Sequence, residues 1–295
     1  MYAMSNGRTP WMVLGGYDDF GGNKLVGFVP GNDKIQNLFA TDKYHECAKI
    51  AQEMYDKGYI YRDCAVDDNS ADLFTQGKIF ARLEQSKPGK LEEMNAKGDF
   101  EYGEIKITDI ISNATDAQGS MMAIPISCEN PVRVMKFIEL LNTDKYLNNL
   151  INFGIEDKHY KKIGENRITL IKNSGYSNVG MQWVFGNIFE NYLYDGESDT
   201  KYEDLKKFND EATFSTYMGF VPNLEAVKIQ VSSCSNVIAE YGKVIEYGVV
   251  NVDEVLPTFL DKLKQAGIDE IVEEVQKQYD DWKNTNDSTE EKSEE

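Results

Sequence analysis

Residues 121–141 read MMAIPISCENPVRVMKFIELL and contain the two patterns that decide the fold class. The first six residues form an apolar run that predicts a strand. Asn130 and Pro131 follow as a helix N-cap with proline at the first helical position. The apolar face of that helix then appears at steps of three and four, at Val134, Phe137, Ile138 and Leu141. A strand followed by an amphipathic helix is typical of a layered α/β domain.

Strand and helix patterns also alternate upstream of this stretch. Residues 1–10 favour a loop, and the apolar runs between glycines in residues 11–29 favour strands with tight turns. Apolar residues spaced by three and four predict a helix over residues 42–57 that ends at Gly58. Residues 73–78 predict a helix or turn that leads into a strand at residues 79–83.

Downstream, helices dominate. A second helix is predicted over residues 146–153, ending at Gly154, and beyond residue 180 the pattern is almost entirely helical. The longest amphipathic pattern runs from Leu224 to Ile245 and is stopped by Gly248. Two more helices are predicted over residues 256–263 and 271–282. The sequence therefore predicts an α/β region and a helix-rich C-terminal half.

Composition and charge exclude several classes of partner. The 295 residues are 41% hydrophobic and carry a formal net charge of −19, which repels phosphate backbones and anionic lipid surfaces. Nucleic acid and anionic membranes are therefore not expected as direct partners. The acidic tail, residues 286–295, has no apolar residue and is expected to be disordered.

The residues that usually carry catalysis or bind metals do not form complete motifs. The glycine-rich residues 16–22 lack the lysine of a phosphate-binding loop, and residues 67–78 lack the glycine and glutamate of a calcium loop. The two histidines have no HExxH context, and there is no GxSxG nucleophile motif. We predict no catalytic residue, no metal site and no cofactor. The pairing state of the four cysteines, Cys47, Cys64, Cys128 and Cys234, stays open, although Cys47 and Cys234 lie on apolar helix stripes as small hydrophobes would.

Residues 180–187, GMQWVFGN, combine an aromatic ring with amides. Sugar rings stack on indoles through their CH faces and pair their hydroxyls with planar polar groups. On a helix, Trp183 and Asn187 would be four residues apart and share a face, beside Gln182. The alternative is that Trp183 packs in the core and Asn187 caps a turn.

Several segments resemble a known family. Residues 123–144 resemble the strand that returns to the first lobe, and the helix after it, in bacterial extracellular solute-binding proteins of ABC importers. The segments 152–160, 183–187, 218–220 and 256–269, with residues 276–278 and Trp282, resemble the lipoprotein subfamily that carries a DUF3502 C-terminal region. Together these matches span most of residues 35–283.

The resemblance implies a periplasmic-binding-protein-like type II fold, with two lobes that close by a hinge over a sugar or oligosaccharide. It assigns residues 1–118 to the second lobe and residues 119–285 to the return into the first lobe and a helical DUF3502-like region. It implies a monomeric, non-enzymatic protein that works with the membrane permease of an ABC importer. Family members sit on the extracellular face of the membrane as lipoproteins. Their export signal, lipid-modified cysteine and opening strands find no counterpart here, so we expect an N-terminally truncated chain with an incomplete first lobe.

The candidate ligand residues follow from the aromatic segment and from the resemblance. Residues 77–81 resemble the family's glycine and strand beneath the cleft, which places Glu84, Gln85 and Ser86 at its rim. The full set of candidates is Trp11, Glu84, Gln85, Ser86, Gln182, Trp183 and Asn187. Two alternatives stay open, a fragment without independent ligand binding and a carbohydrate-active hydrolase.

Overall fold

A computed structural model describes residues 2–5, 18–20, 25–29, 32, 34–67, 70–97, 100–112, 119–176, 181–215 and 217–290. The chain forms two compact units. The first unit comprises residues 1–84, 111–116 and 213–295, and the second comprises residues 85–110 and 117–212. The chain passes from one unit to the other four times, whereas the sequence predicted a single boundary between lobes after residue 118. How the units correspond to the lobes of the family stays a prediction.

The strands are β1 (Tyr2–Ser5), β2 (Asp18–Phe20), β3 (Val26–Phe28), β4 (Gln36–Asn37), β5 (Ile79–Arg82), β6 (Ile111–Ser112), β7 (Tyr160–Lys162), β8 (Arg167–Leu170), β9 (Leu193–Tyr194) and β10 (Thr213–Phe214). The helices are α1 (Asp42–Asp56), α2 (Ser70–Thr75), α3 (Lys90–Lys97), α4 (Pro131–Thr143), α5 (Lys145–Phe153), α6 (Lys201–Asp210), α7 (Lys228–Glu246), α8 (Val252–Gln265) and α9 (Ile268–Glu290). Short 3₁₀ turns cover Leu38–Ala40, Ile188–Glu190 and Glu225–Val227.

Helices α1, α7, α8 and α9 form the core of the first unit, and all four predicted helices are confirmed. The side-chain oxygen of Thr41 accepts a hydrogen bond from the Tyr44 amide at 3.2 Å and caps α1. Asn251 caps α8 in the same way through the Asp253 amide, at 3.1 Å. Each cap satisfies an amide that has no partner within its own helix. The apolar stripes predicted from the sequence therefore become packed helix faces.

The core of the first unit is almost entirely apolar. Twenty-one buried residues form one cluster, with Phe39 in edge contact with Tyr44 and Phe259 at ring distances of 5.2 and 5.3 Å. Gly248 has φ +68°, and a Cβ there would overlap the backbone of residues 51–52 in α1. Cys47 and Cys234 lie in this core as small hydrophobes, as expected, and all four cysteines are free.

Among the described residues, three small sheets belong to the first unit. Strands β2, β3 and β4 are antiparallel, while β1 pairs with β5 and β6 with β10 in parallel. The prediction of a loop at residues 1–10 is wrong for residues 2–5, because Tyr2 pairs with Ile79 and Met4 with Ala81. That strand is stabilised by a partner far away in the chain, so its local composition could not reveal it.

The second unit combines helices α3 to α6 with a sheet of β7, β8 and β9. Asn130 caps α4 through the Arg133 amide at 3.1 Å, and Asp144 caps α5 through the Leu147 amide at 2.7 Å. Both predicted helices are therefore confirmed. The apolar core here is small and consists of Phe153, Tyr160, Ile168 and Tyr194, with Leu170 and Tyr192 packed against it.

Three further sequence predictions differ from the structure. Residues 121–125 are irregular rather than a strand, and residues 181–194 form turns, a 3₁₀ turn and β9 rather than a helix. The acidic tail does not begin at residue 286, because α9 continues to Glu290, and residues 291–295 lie outside the described residues. Extending an existing helix requires no new nucleation, which allows a polar segment to remain helical. No helix in the described part of the chain is long and apolar enough to cross a membrane.

Candidate functional site

Trp183 lies on a tight turn of the second unit. The Val184 amide donates to the Met181 carbonyl at 2.9 Å, and the indole side chain is 51% exposed. Because residues 182–184 form a turn, Trp183 and Asn187 do not share a helix face, and that expectation is wrong. Asn187 instead caps the 3₁₀ turn at residues 188–190, where its side-chain oxygen accepts from the Phe189 amide at 3.1 Å. The alternative interpretation of Asn187 as a turn cap is therefore confirmed, whereas Trp183 is not a core residue.

Three buried asparagines of α5 hold the segment that follows Trp183, and we call them the asparagine cluster: Asn148, Asn149 and Asn152. Their side-chain amides donate to the carbonyls of Asn187 at 3.1 Å, Glu190 at 2.8 Å and Phe185 at 3.1 Å, respectively. A buried carbonyl without a partner would be costly, so these bonds fix the path of a segment that lacks regular secondary structure.

Further contacts tighten the same segment. The Tyr192 amide donates to the side-chain oxygen of Asn149 at 2.8 Å, and the Asn191 side chain donates to that of Asn148. Gly186 has φ +76°, and a Cβ there would overlap the Leu141 carbonyl oxygen. Glycine at this position therefore permits the close approach of the segment to the C-terminal end of α4.

Gln182 points into the unit rather than toward solvent. It is 3% exposed, and its side-chain amide donates to the Tyr194 hydroxyl. Burial, with the nearby carboxylates Glu93 and Glu197, raises the pKa of the Tyr194 hydroxyl, so this group stays protonated. The Gln182–Tyr194 bond anchors the residue next to Trp183.

A buried ionic cluster lies around Tyr194, consisting of Glu93, Glu197 and Lys201. The Lys201 ammonium is 2.6 Å from Glu197 and 3.7 Å from Glu93. Lys87 approaches Glu93 at 3.3 Å, and the Tyr194 amide donates to Glu197 at 2.8 Å. Burial raises the pKa of the Glu197 carboxyl, although the charge of Lys201 and its hydrogen bond lower it. The cluster joins α3, β9 and α6 by charge-assisted hydrogen bonds.

The other predicted ligand residues are distributed along the chain. Glu84 forms an ion pair with Arg82 at 2.5 Å. It is the last residue of the first unit before the chain enters the second unit at Gln85, and Gln85 and Ser86 are both exposed. Trp11 and most of the glycine-rich residues 16–22 lie outside the described residues. Their roles as ligand contacts stay predictions.

Neither a surface groove nor a metal-binding cluster adds a residue to the candidate site in the described part of the chain. An open groove of about 560 Å³ in the first unit, between residues 34–35 and α9, includes none of the predicted ligand residues. No cluster of three His, Cys, Asp or Glu residues that could hold a metal ion occurs in the described part of the chain.

Sequence reasoning missed the asparagine cluster and the ionic cluster. The pattern Asn148-Asn149-x-x-Asn152 was a usable signal, because asparagines are rare inside helices unless their amides bond to something. Glu93, Glu197 and Lys201 had no such signal, since they are ordinary charged residues that only tertiary contacts bury.

The chain is similar to known proteins over most of its length. Residues 216–284 match the family model of a domain of unknown function, DUF3502. A carbohydrate ABC transporter substrate-binding protein of Streptococcus pneumoniae serotype 4 is 30% identical over 257 residues, which is 84% of this chain and 52% of that relative. The chain thus spans about half the length of the curated relative that it matches.

Solved structures give the same result. The N-glycan transport solute binding protein NgtS of Streptococcus pneumoniae, in complex with Man5GlcNAc, superposes with a TM-score of 0.80 at 27% identity, over 96% of this chain and 63% of that one. The alginate-binding protein AlgQ2 superposes with a TM-score of 0.56 at 16% identity, over 95% of this chain and 64% of that one, which supports the fold alone. The periplasmic-binding-protein-like type II fold is therefore confirmed, and these comparisons support the resemblance to extracellular solute-binding proteins that carry a DUF3502 region.

Proposed function

We propose that this protein binds a carbohydrate as the solute-binding component of an ABC importer. It delivers the sugar to a membrane permease on the extracellular face and has no enzymatic activity. The relatives support this, since they are described as transport proteins and two of the similar NgtS structures contain glycans. The cleft between lobes, the hinge, the lipoprotein anchor and the monomeric state that the resemblance implies belong to the same proposal.

The observation that carries the proposal is the half-exposed indole of Trp183 on a fixed turn. A sugar ring that stacks on an indole gains most when the indole is already held in place, because little conformational entropy is then lost. The asparagine cluster and the Gln182–Tyr194 bond restrain the chain on both sides of Trp183. This restraint favours a binding role over a loose surface aromatic.

The remaining candidates have supporting roles in this proposal. Asn187 uses its side-chain oxygen in the turn, which leaves its amide nitrogen as the donor to a hydroxyl. Gln85 and Ser86 are exposed and can hydrogen-bond a ligand, whereas Glu84 would have to share its carboxylate with Arg82. Gln182 acts by positioning Trp183, because its own side chain is buried.

Titration with a high-mannose oligosaccharide such as Man5GlcNAc, followed by calorimetry and tryptophan fluorescence, tests the proposal. We expect saturable binding and a loss of about tenfold or more in affinity for Trp183→Ala, because a stacked aromatic contributes at least about 1.4 kcal/mol. Tyr59→Ala is the matched control, since Tyr59 is an aromatic of the first unit that is 48% exposed. Equal affinity of both variants, or no binding of any mannose-containing glycan, would contradict the proposal.

A further inference from the structure

One candidate binding segment of the second unit, residues 85–86, is tied to the ionic cluster. Lys87 follows directly in the chain, and its ammonium lies 3.3 Å from the Glu93 carboxylate. Gly89 has φ +85°, and a Cβ there would lie 2.6 Å from Cε of Lys201. Because glycine has no Cβ, the backbone that follows residues 85–86 can pack directly on the Lys201 side chain. Charge and packing therefore both hold this exposed segment against the cluster.

The turn that carries Trp183 is tied to the same cluster by a different route. Gln182 donates to the Tyr194 hydroxyl, and the Tyr194 amide donates to the Glu197 carboxylate at 2.8 Å. The other oxygen of Glu197 lies 2.6 Å from the Lys201 ammonium. Such hydrogen bonds are directional, so they fix the orientation of the turn as well as its place. Two segments that are far apart in sequence thus share one buried cation.

Lys201 is itself shielded from any ligand. It is 5% exposed, and its ammonium lies 2.6 Å from Glu197 and 3.7 Å from Glu93. Replacing a whole buried ion pair by apolar residues of similar volume is often neutral for stability, so stability alone does not account for charges at this place. Bonds to two carboxylates do fix the spacing of the segments that those carboxylates support, more strictly than apolar contacts would.

We propose that Lys201 is a positioning residue of the sugar site. It holds residues 85–86 and the Trp183 turn at a fixed spacing, so that a glycan whose ring stacks on Trp183 also hydrogen-bonds Ser86. This role rests on the sugar binding proposed above and adds that the two segments act as one site within the second unit. The ligand then gains both contacts without first ordering the chain.

Binding of Man5GlcNAc to the full chain, measured by calorimetry on variants that circular dichroism shows to be folded, tests this role. Lys201→Met should weaken binding by about tenfold or more, because both segments lose their common support. Leu205→Ala is the matched control, since it truncates a buried apolar side chain of the same helix and also lowers stability. Lys207→Met removes an exposed lysine of that helix. Both controls should bind within about twofold of the wild type.

A double-mutant cycle measures the coupling between the two segments. In the wild type, Ser86→Ala should weaken binding about fivefold through the loss of one hydrogen bond. In the Lys201→Met background, the same change should weaken binding by less than about twofold, because Ser86 no longer meets a ligand that is stacked on Trp183. Equal effects of Ser86→Ala in both backgrounds would overturn the role of Lys201.

A spectroscopic signal from Trp183 distinguishes positioning from general stability. The chain has three tryptophans, and after labelling with 5-fluorotryptophan the fluorine resonance of Trp183 is the one that Trp183→Phe removes. Without ligand, this resonance should shift or broaden in Lys201→Met and stay unchanged in Leu205→Ala. An unchanged resonance in Lys201→Met would show that the cation does not position the turn, and the proposal would be wrong.

Lys87 provides a second variant that keeps the proposal testable where Lys201→Met fails to fold. Its side chain is 26% exposed, so its removal disturbs the interior less. Lys87→Met should release residues 85–86 and weaken binding by about threefold or more, whereas Lys87→Arg should restore binding because it retains the charge. Wild-type affinity in Lys87→Met would overturn the proposal.

Failure of this role and failure of the proposed function give different results. If the wild type binds no mannose-containing glycan, the proposed function is wrong, and the positioning role falls with it. If the wild type binds but Lys201→Met and Leu205→Ala weaken binding equally, the positioning role alone is overturned.

Discussion

The two units are built on different kinds of interior. In the described part of the first unit, twenty-one buried residues from α1, α7, α8, α9 and the neighbouring strands and turns form one apolar core. The second has a core cluster of four, yet every buried polar or charged side chain found in the described residues belongs to it. Apolar packing tolerates exchange of similar shapes, whereas buried hydrogen bonds are directional. The second unit therefore uses its interior to hold one irregular segment, the one that carries Trp183.

The largest expected effect comes from the ionic cluster. Lys201→Met keeps the length of the side chain but leaves Glu93 and Glu197 buried without the central ammonium. We expect a loss of about 3–5 kcal/mol in the free energy of unfolding of the second unit, measured by denaturant titration. Lys207→Met, on the exposed face of the same helix, is the control and should change little. Similar small losses in both variants would show that the cluster does not stabilise the unit.

A smaller effect is expected in the asparagine cluster. Asn149→Leu preserves the approximate volume but leaves the Glu190 carbonyl and the Tyr192 amide without partners. The expected loss is about 1–3 kcal/mol, with faster exchange of the Tyr192 amide in hydrogen-exchange experiments. Asn142→Leu is the matched control, because Asn142 bonds only the Ile138 carbonyl of its own helix. Unchanged exchange at Tyr192 in Asn149→Leu would contradict a holding role for the cluster.

The smallest expected effect is a pH dependence confined to the second unit. Burial raises the folded-state pKa of Glu197 above its ordinary value of 4.5, so the native state binds the proton more tightly than the unfolded chain. This contribution to stability is fully present below pH 4.5 and is lost as the pH rises through the folded pKa. Relative to Glu197→Gln, the wild type should therefore become less stable as the pH rises from 4 to 7 in denaturant titrations.

The first unit supplies the control for this pH series. Leu263→Ala truncates a fully buried side chain of α8 and should cost about 2–5 kcal/mol at both ends of the range, since no proton is involved. If the free energies of unfolding of the wild type and Glu197→Gln differ by the same amount at every pH, the pKa argument is contradicted. The interiors of the two units would then respond to pH in the same way.

Much of the helical architecture could be predicted from the sequence. The helices of the first unit follow from apolar spacing, and the caps at Asn130 and Gly58 were placed correctly. Such patterns are local, since a helix closes its hydrogen bonds within a few residues. The expectation of helical structure failed at residues 181–194, because the backbone carbonyls of Phe185 and Glu190 are held by side chains of α5, more than thirty residues away.

The candidate site was also predicted only in part from the sequence. Local composition was enough to select Trp183, since an indole beside amides is a general sugar-binding pattern. It could not show that Gln182 turns inward to Tyr194 or that Asn187 caps a turn, because those outcomes depend on which groups are buried nearby.

By itself, the sequence determined the class of fold, the positions of the amphipathic helices, the family resemblance and the aromatic segment. Only the tertiary structure decided the parallel pairing of β1 with β5, the burial of Glu93, Glu197 and Lys201, and the asparagine cluster that holds the Trp183 segment. The physical reason is the separation in sequence between the residues that interact. Helix periodicity depends on residues three or four positions apart, whereas strand pairing and buried polar bonds join groups that are distant in the chain.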